Sequence, residues 1–450
     1  MKLSDYTITV EDYPKEGEHI LFNTRTQAMV KIKQELKEIL SNYHDPQKIS
    51  LITKYCNELD QLLKMGILVE NEDQDREKLR AFFRQLKYGV DRSFMHVTVL
   101  TTDACNFDCV YCFEKGARED INMKESTCNH AMDWIKSKIE RLGYEELYIT
   151  FYGGEPLVNK PILEYLASGM KSWCDERKVC FRFMLQTNGY LITAEYIEKL
   201  LKLGLSNVRV SVDGLAHIHD KNRPLKGGGG TFYTIMDNIV ECIDKVKISL
   251  SVSYDKDDIK HIEDLLDYLE DLEILHKLGE FIISPIHPSF GPKNHPELFQ
   301  QMSCMCNYDD DVIISAARKI HKLMKYKGLP VKNGMTITAC PLARENGSVT
   351  IDQLGNIYKC NSMLGYKEFS VGDVFSDEYN FQHQKFLNIL PWQNCPQDCP
   401  YLPMCSGGCR FMAFLENKNF YKPTCKKRYL DEMAPVFIKK EYEEMMAQKK

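Results

Sequence analysis

Between about residues 95 and 330, short apolar, β-branched runs alternate with longer amphipathic stretches. The runs fall at 96–100, 147–151, 181–185, 208–212, 248–252 and 281–283, with helical patterns such as 125–139, 194–202 and 259–269 between them. Alternation at this spacing predicts βαβ units and a parallel sheet, hence an α/β fold. Six such units can close into an open or partial barrel, and periodicity alone does not separate that from a doubly wound sheet.

The pattern differs on either side. Near the N-terminus, Ile20-Leu21-Phe22 and Met29-Val30-Lys31-Ile32 flank a polar Asn23-Thr24-Arg25-Thr26 turn, which predicts a hairpin. Asp45 is placed to cap a helix running to Lys64, with Gly66 as its stop and Ile67-Leu68-Val69 as a short strand. The charged run 71–78 opens a further helix or a linker and reads as a solvated face. Over 335–425, Gly, Pro and Cys replace long periodic segments, which points to metal rather than a core as the holding force. A last helix is expected from Met433 to a lysine-tipped end. The expected units are 1–92, 93–330, 331–430 and 431–450.

A chain of 450 residues has room for about two to four domains. With 44% apolar and 27% charged residues it is neither disordered nor collagen-like. Its net charge of −6 shows no basic excess, so nucleic acid is not an expected partner. There is no secretory h-region and no apolar run of about 18 residues, so a soluble, cytoplasmic protein without a membrane partner is expected. The 17 cysteines then read as ligands or buried apolar residues before disulfides. Ten of the 17 lie in two groups, at 105–112 and 340–425. Most of the others (Cys56, Cys128, Cys174, Cys180, Cys242, Cys304 and Cys306) read as small buried residues, although Cys304 and Cys306 sit in a polar loop and can equally be ligands or active-site contacts.

The first group, Cys105-x3-Cys109-x2-Cys112, follows the first strand of the alternating region. Three thiolates on one loop can hold three irons of a cubane, whereas a closed [4Fe–4S] site takes four cysteines, so one iron would stay open. Three thiolates without an adjacent His fit tetrahedral zinc poorly. The C-terminal end of a barrel strand is where such folds carry chemistry.

This motif, with the aromatic Tyr111 before its last cysteine, resembles the signature of the radical SAM superfamily. Further segments resemble family elements in order: Phe151-Tyr152-Gly153-Gly154-Glu155-Pro156-Leu157, Gln186-Thr187-Asn188-Gly189, Ser211-Val212-Asp213-Gly214 and His219-Asp220-Lys221-Asn222-Arg223. The resemblance implies a partial (β/α)6 TIM-like barrel with a [4Fe–4S] cluster on Cys105, Cys109 and Cys112. It implies that Gly153, Gly154, Glu155 and Pro156 hold the amino group of S-adenosylmethionine. Thr187, Asn188, Ser211 and Asp213 would furnish further contacts, those of the fourth element reaching the ribose, and Arg223 would meet the carboxylate. Such enzymes cleave the cofactor reductively to a 5′-deoxyadenosyl radical that abstracts hydrogen from the substrate. No residue is identified as a catalytic acid or base.

The second group reads Cys340-x14-Gly355-x4-Cys360, then Cys395-x3-Cys399-x5-Cys405-x3-Cys409-x15-Cys425, and resembles the cysteine-rich SPASM extension. The x3 between Cys395 and Cys399 departs from the usual x2. The resemblance implies two auxiliary [4Fe–4S] clusters, making three in all. Cys395, Cys399, Cys405 and Cys425 would hold the outer one, and Cys340, Cys360 and Cys409 the inner one. The inner cluster lacks a fourth cysteine, and an open iron is preferred over ligation by Cys304 or Cys306.

Residues 1–92 resemble the winged-helix-like unit with which ribosomal-peptide maturases bind a leader peptide as an added strand. The implied partners are a cysteine-containing precursor peptide and a flavodoxin- or ferredoxin-like electron donor. The expected reaction is peptide modification, with cysteine thioether crosslinking foremost. Formylglycine formation of the anaerobic sulfatase-maturing type, carbon–carbon crosslinking, and a non-enzymatic electron carrier or metal-stapled scaffold are the alternatives.

Overall fold

The computed structural model of the chain describes residues 1–41, 54–112, 114–116, 118–255, 259–286, 310–330, 334–337 and 339–448. Short strand β1 (Lys2–Leu3) precedes β2 (Thr7–Val10), β3 (Glu18–Asn23) and β4 (Met29–Lys33), and the last three form an antiparallel sheet in the order β2-β3-β4. The expected hairpin is β3–β4. The Asn23 side chain accepts from the backbone N–H of Arg25 (3.1 Å) and Thr26 (3.0 Å), which tightens its turn. Because strand side chains alternate, β3 serves two cores. Leu21 packs toward helices Gln34–Ser41 and Cys56–Lys64, whereas Ile20 and Phe22 pack against Met433, Phe437 and Ile438 of the C-terminal helix Lys427–Gln448. That helix begins six residues before the expected Met433.

The helix start expected at Asp45 lies outside the described residues. Its stop is at Gly66, whose φ of +73° suits glycine. Strand β5 (Leu68–Val69) then pairs with β1. The charged run is a helix, Glu72–Tyr88, capped by the Asn71 side chain, which accepts from the Gln74 N–H at 2.9 Å.

All six apolar runs of the alternating region become parallel strands: β6 (Met95–Leu100), β7 (Glu146–Tyr152), β8 (Cys180–Thr187), β9 (Leu205–Ser211), β10 (Ile248–Tyr254) and β11 (Phe281–Pro285). They pair in sequence order, with helices such as Glu125–Leu142, Lys160–Arg177 and Lys260–Asp271 returning the chain. This is the partial (β/α)6 barrel, and its core is continuous through residues such as Val97, Ile149, Phe183, Val208 and Leu250.

Three further strands extend the sheet beyond β6. Strand β12 (Val349–Ile351) pairs in parallel with β6, and β13 (Asn356–Tyr358) and β14 (Gly372–Asp373) follow antiparallel. The cysteine-rich segment is therefore partly core-held, contrary to the expectation of metal alone. Val349, Ile351, Ile357, Tyr358 and Val371 belong to the barrel core. Strands of two or three residues are too short to show a period, yet they bury apolar side chains once docked on an existing edge. Among the described residues, no helix is long and apolar enough to cross a membrane.

Candidate active site

The loop after β6 is held from both sides. Phe107, 1% exposed, forms a bridge with Leu225 and meets the Tyr190 ring edge-on. Backbone bonds from Asp108 to Pro224 (2.9 Å), Val110 to Asn222 (3.0 Å) and Lys226 to Asn106 (2.8 Å) tie it to the segment after β9. On its other side Asp103 accepts from the Gln353 side chain at 2.8 Å, so the β12–β13 turn grips the same loop. Cys105, Cys109 and Cys112 thereby line one cavity of about 310 Å³ at the C-terminal ends of the parallel strands. Burial pushes the Cys105 thiol up to about 11 and the Cys112 thiol up to about 12, and raises Cys109 as well. A cationic ligand partner would reverse that order and release the protons.

Gly153 and Gly154 press against the cysteine loop. A Cβ on Gly153 would lie 2.1 Å from the Thr102 carbonyl oxygen, and one on Gly154 would lie 2.3 Å from those of Asp103 and Ala104. The close approach is sealed by N–H donation from Glu155 to Ala104 at 2.9 Å. The Glu155 carboxylate is fully buried and accepts from the Thr187 hydroxyl (2.7 Å), the Asn188 N–H (2.7 Å) and the Leu157 N–H (3.1 Å). Burial outweighs these donors and pushes it up to about 7. Any amino group bound here would share oxygens that already hold the end of β8. Pro156 opens the short helical turn Pro156–Asn159 behind them. Asn188 reaches back to Asn106 at 2.8 Å, which joins the third element to the cysteine loop.

Ser211 and Arg223 line the cavity, whereas Asp213 lies behind it. The Arg223 Nε donates to Asp213 at 3.0 Å, the Tyr111 hydroxyl donates to the same carboxylate, and the guanidinium stacks 5.1 Å from the Tyr111 ring centroid. Burial opposes ionisation of Asp213, but Arg223 and the Tyr111 hydroxyl together hold it below the usual carboxylate range. Asp213 thus fixes Arg223 and Tyr111 in position.

Residues outside the sequence expectation also line the wall: Glu114, Arg118, Ser251, Ser253, Ser284, Pro285, Ile286, Ser362 and Phe411. Burial pushes Glu114 up to about 7, where it bonds with the Tyr152 hydroxyl. The serines near the ends of β10 and β11 were visible as polar residues interrupting apolar strands. Ser362 and Phe411 had no such signal, because only folding brings them to the barrel.

Electrostatically the C-terminal cysteines fall in two sets: Cys340 and Cys409 act on Cys360, whereas Cys399, Cys405 and Cys425 act on Cys395. Cys304 and Cys306 lie outside the described residues. Among the described residues no group of three or more His, Cys, Asp or Glu is drawn together closely enough for a single metal ion.

Residues 99–269 match the radical SAM superfamily model. The chain carries a radical SAM domain. Over nearly its whole length the chain is also similar to the radical SAM cyclopropyl synthase TigE of Paramaledivibacter caminithermalis, at 21% identity over 90% of this chain and 89% of that protein. Among solved structures it resembles anSMEcpe with bound AdoMet and Cp18Cys peptide (TM-score 0.58, 15% identity, 76% of this chain and 98% of that one). It also resembles Streptococcus suis SuiB bound to precursor peptide SuiA (TM-score 0.54, 15% identity, 95% of this chain and 99% of that one). The chain spans 59% and 58% of the length of two further curated relatives, each matched at 27% identity. A radical SAM domain implies a [4Fe–4S] cluster and S-adenosylmethionine. Three half-buried thiols, the clamped Arg223 and a cavity that approaches the Gly153-Gly154 backbone fit that pair.

Proposed function

We propose that the protein is a peptide maturase that uses S-adenosylmethionine to modify a ribosomally made precursor, foremost by joining a cysteine sulfur to a carbon of another residue. The observation that carries this reading is the shared cavity. Its wall combines the cysteine loop, the Gly153-Gly154 turn and Arg223 with Ser362 and Phe411, each two residues from a C-terminal cysteine. A substrate held there would touch both cysteine regions.

Cys105, Cys109 and Cys112 would hold the barrel cluster. Cys340, Cys360 and Cys409 would hold an inner auxiliary cluster, and Cys395, Cys399, Cys405 and Cys425 an outer one. When bound, the barrel cluster supplies the electron that cleaves S-adenosylmethionine, drawn from a flavodoxin- or ferredoxin-like donor in the cytoplasm. The chain's own residues would orient the cofactor: Arg223, locked by Asp213 and Tyr111, presents a fixed cation to a carboxylate, and Asn188 and Ser211 offer polar contacts. Three thiols around the inner site leave a position that a substrate thiolate would fit.

Residues 1–92 would bind the leader. The sheet β2-β3-β4 has two edge strands, and an extended peptide adds to such an edge through main-chain bonds. The coverage of the likeness to SuiB, at 95% of the chain, supports this unit as part of the functional assembly.

The test is anoxic reconstitution with a cysteine-containing precursor peptide, followed by mass spectrometry. A thioether retains the sulfur and costs the peptide two hydrogens, whereas formylglycine formation from cysteine removes the sulfur. Hydrogen exchange on adding the peptide should protect amides of β2 or β4. Protection at neither edge removes the leader-binding role.

A further inference from the structure

Arg410 is the largest side chain among those fully buried in the described residues, with 0% exposure. It follows Cys409 directly. Its guanidinium donates to the carbonyl oxygens of Phe420 (2.8 Å), Lys422 (2.7 Å), Gly408 (3.4 Å) and Gly407. All of these partners are neutral carbonyls. A guanidinium cannot shed its proton, and a buried cation without an anion is costly. The groups beside it that can carry negative charge, once deprotonated, are cysteines: Cys409 precedes it directly, and Gly407 and Gly408, whose carbonyls it binds, lie between Cys405 and Cys409. Arg410 lies within electrostatic reach of Cys340 and Cys409 in one set and of Cys395 and Cys405 in the other. Its backbone N–H also donates to the Cys340 sulfur. One fixed cation, caged by the 407–408 and 420–422 backbone, therefore lies within electrostatic reach of both cysteine groups.

We propose that Arg410 sets the reduction potentials of both auxiliary clusters through its charge. This rests on the two cysteine sets being cluster ligands. A [4Fe–4S] cubane with thiolate ligands is an anion and becomes more negative on taking an electron. A cation in the low-dielectric interior stabilises the reduced form more than the oxidised one and raises the potential. Because one guanidinium serves both sets, the two potentials are tied together.

The test is a redox titration of the anoxically loaded, full-length protein, followed by electron paramagnetic resonance. The unsubstituted protein is compared with R410Q and R410K. R410Q is expected to lower both auxiliary potentials by at least a tenfold change in the reduction equilibrium, about 59 mV for one electron. R410K keeps the charge and is expected to retain most of the native potential. Should R410Q fail to load while R410K loads with near-native potentials, the charge is again the cause.

The inference is overturned if R410Q leaves both potentials in place, if R410K shifts them as far as R410Q, or if neither variant loads. In the last two cases Arg410 would be a clamp for carbonyls and nothing more. Iron content keeps the two levels apart. Fewer than three clusters in the unsubstituted protein removes the ligand assignment itself, whereas three clusters with unmoved potentials removes only the role of Arg410.

Discussion

The two cysteine regions solve one problem by opposite means. In the barrel, three thiols come from eight consecutive residues on one loop, and the loop is braced from both sides by segments 222–226 and 353. Its geometry rests on a large apolar core. In the C-terminal region, seven thiols come from five separate stretches, and the elements between them are short. Much of that region's packing is borrowed. Tyr401, Met404 and Met335 share a core with Val10, Ile20 and Phe22 of the N-terminal sheet and with the Lys427–Gln448 helix. The Tyr6 hydroxyl donates to the Gln397 carbonyl at 2.8 Å, and the Thr24 hydroxyl to that of Pro400 at 2.5 Å, so the N-terminal unit grips the loop that carries Cys395 and Cys399. A site resting on its own domain's core should tolerate ligand loss better than one assembled between units.

Removing thiols from each region gives the largest contrast. Replacing Cys105, Cys109 and Cys112 together by Ala should reduce S-adenosylmethionine cleavage to the uncatalysed level while shifting the melting temperature by less than about 5 °C. Replacing Cys399 and Cys405 by Ala should lower both iron content and melting temperature, the latter by about 5–10 °C. Equal thermal losses in the two variants would erase the distinction.

A smaller effect probes the contact that joins the cysteine loop to the β7 turn. In Gly154→Ala the new methyl would meet the Asp103 and Ala104 carbonyl oxygens, which are backbone and cannot swing aside. Stability should fall by about 2 kcal/mol or more, and cofactor affinity with it, as read by denaturant unfolding and equilibrium binding.

The most delicate test uses pH on the C-terminal side. His383 is buried against Tyr379, and burial, aided by Lys359 and Lys138, pushes it down to about 4 from 6.5. It is therefore neutral when folded. Its contribution is fully present above pH 6.5 and is lost as pH falls toward 4, because the unfolded chain then binds a proton that the folded one refuses. About 3 kcal/mol should disappear across that window, and His383→Gln should flatten the profile. An unchanged slope in the variant would mean that another group carries the acid sensitivity.

The barrel was readable because its signals are local. β-branched runs at a regular interval specify parallel strands, and Gly153-Gly154 specifies a backbone approach that no side chain permits. The role of Glu155 was less readable. A carboxylate in that motif suggests ligand contact, yet its burial and its bonds to Thr187, Asn188 and Leu157 make it a brace for β8 as well. Asp213 likewise proved to stand behind Arg223.

By itself the sequence determined the type and order of the barrel elements, the thiol loop and the composition of the C-terminal donors, since each follows from residue type and short spacing. Only the tertiary structure decided that β12 would continue the barrel sheet, that Ser362 and Phe411 would enter its cavity, and that Arg410 would be buried among the carbonyls of Phe420 and Lys422. Those contacts join residues far apart in the chain. Their energy comes from burying surfaces that meet only after the separate units have formed, and no local pattern records which surfaces will meet.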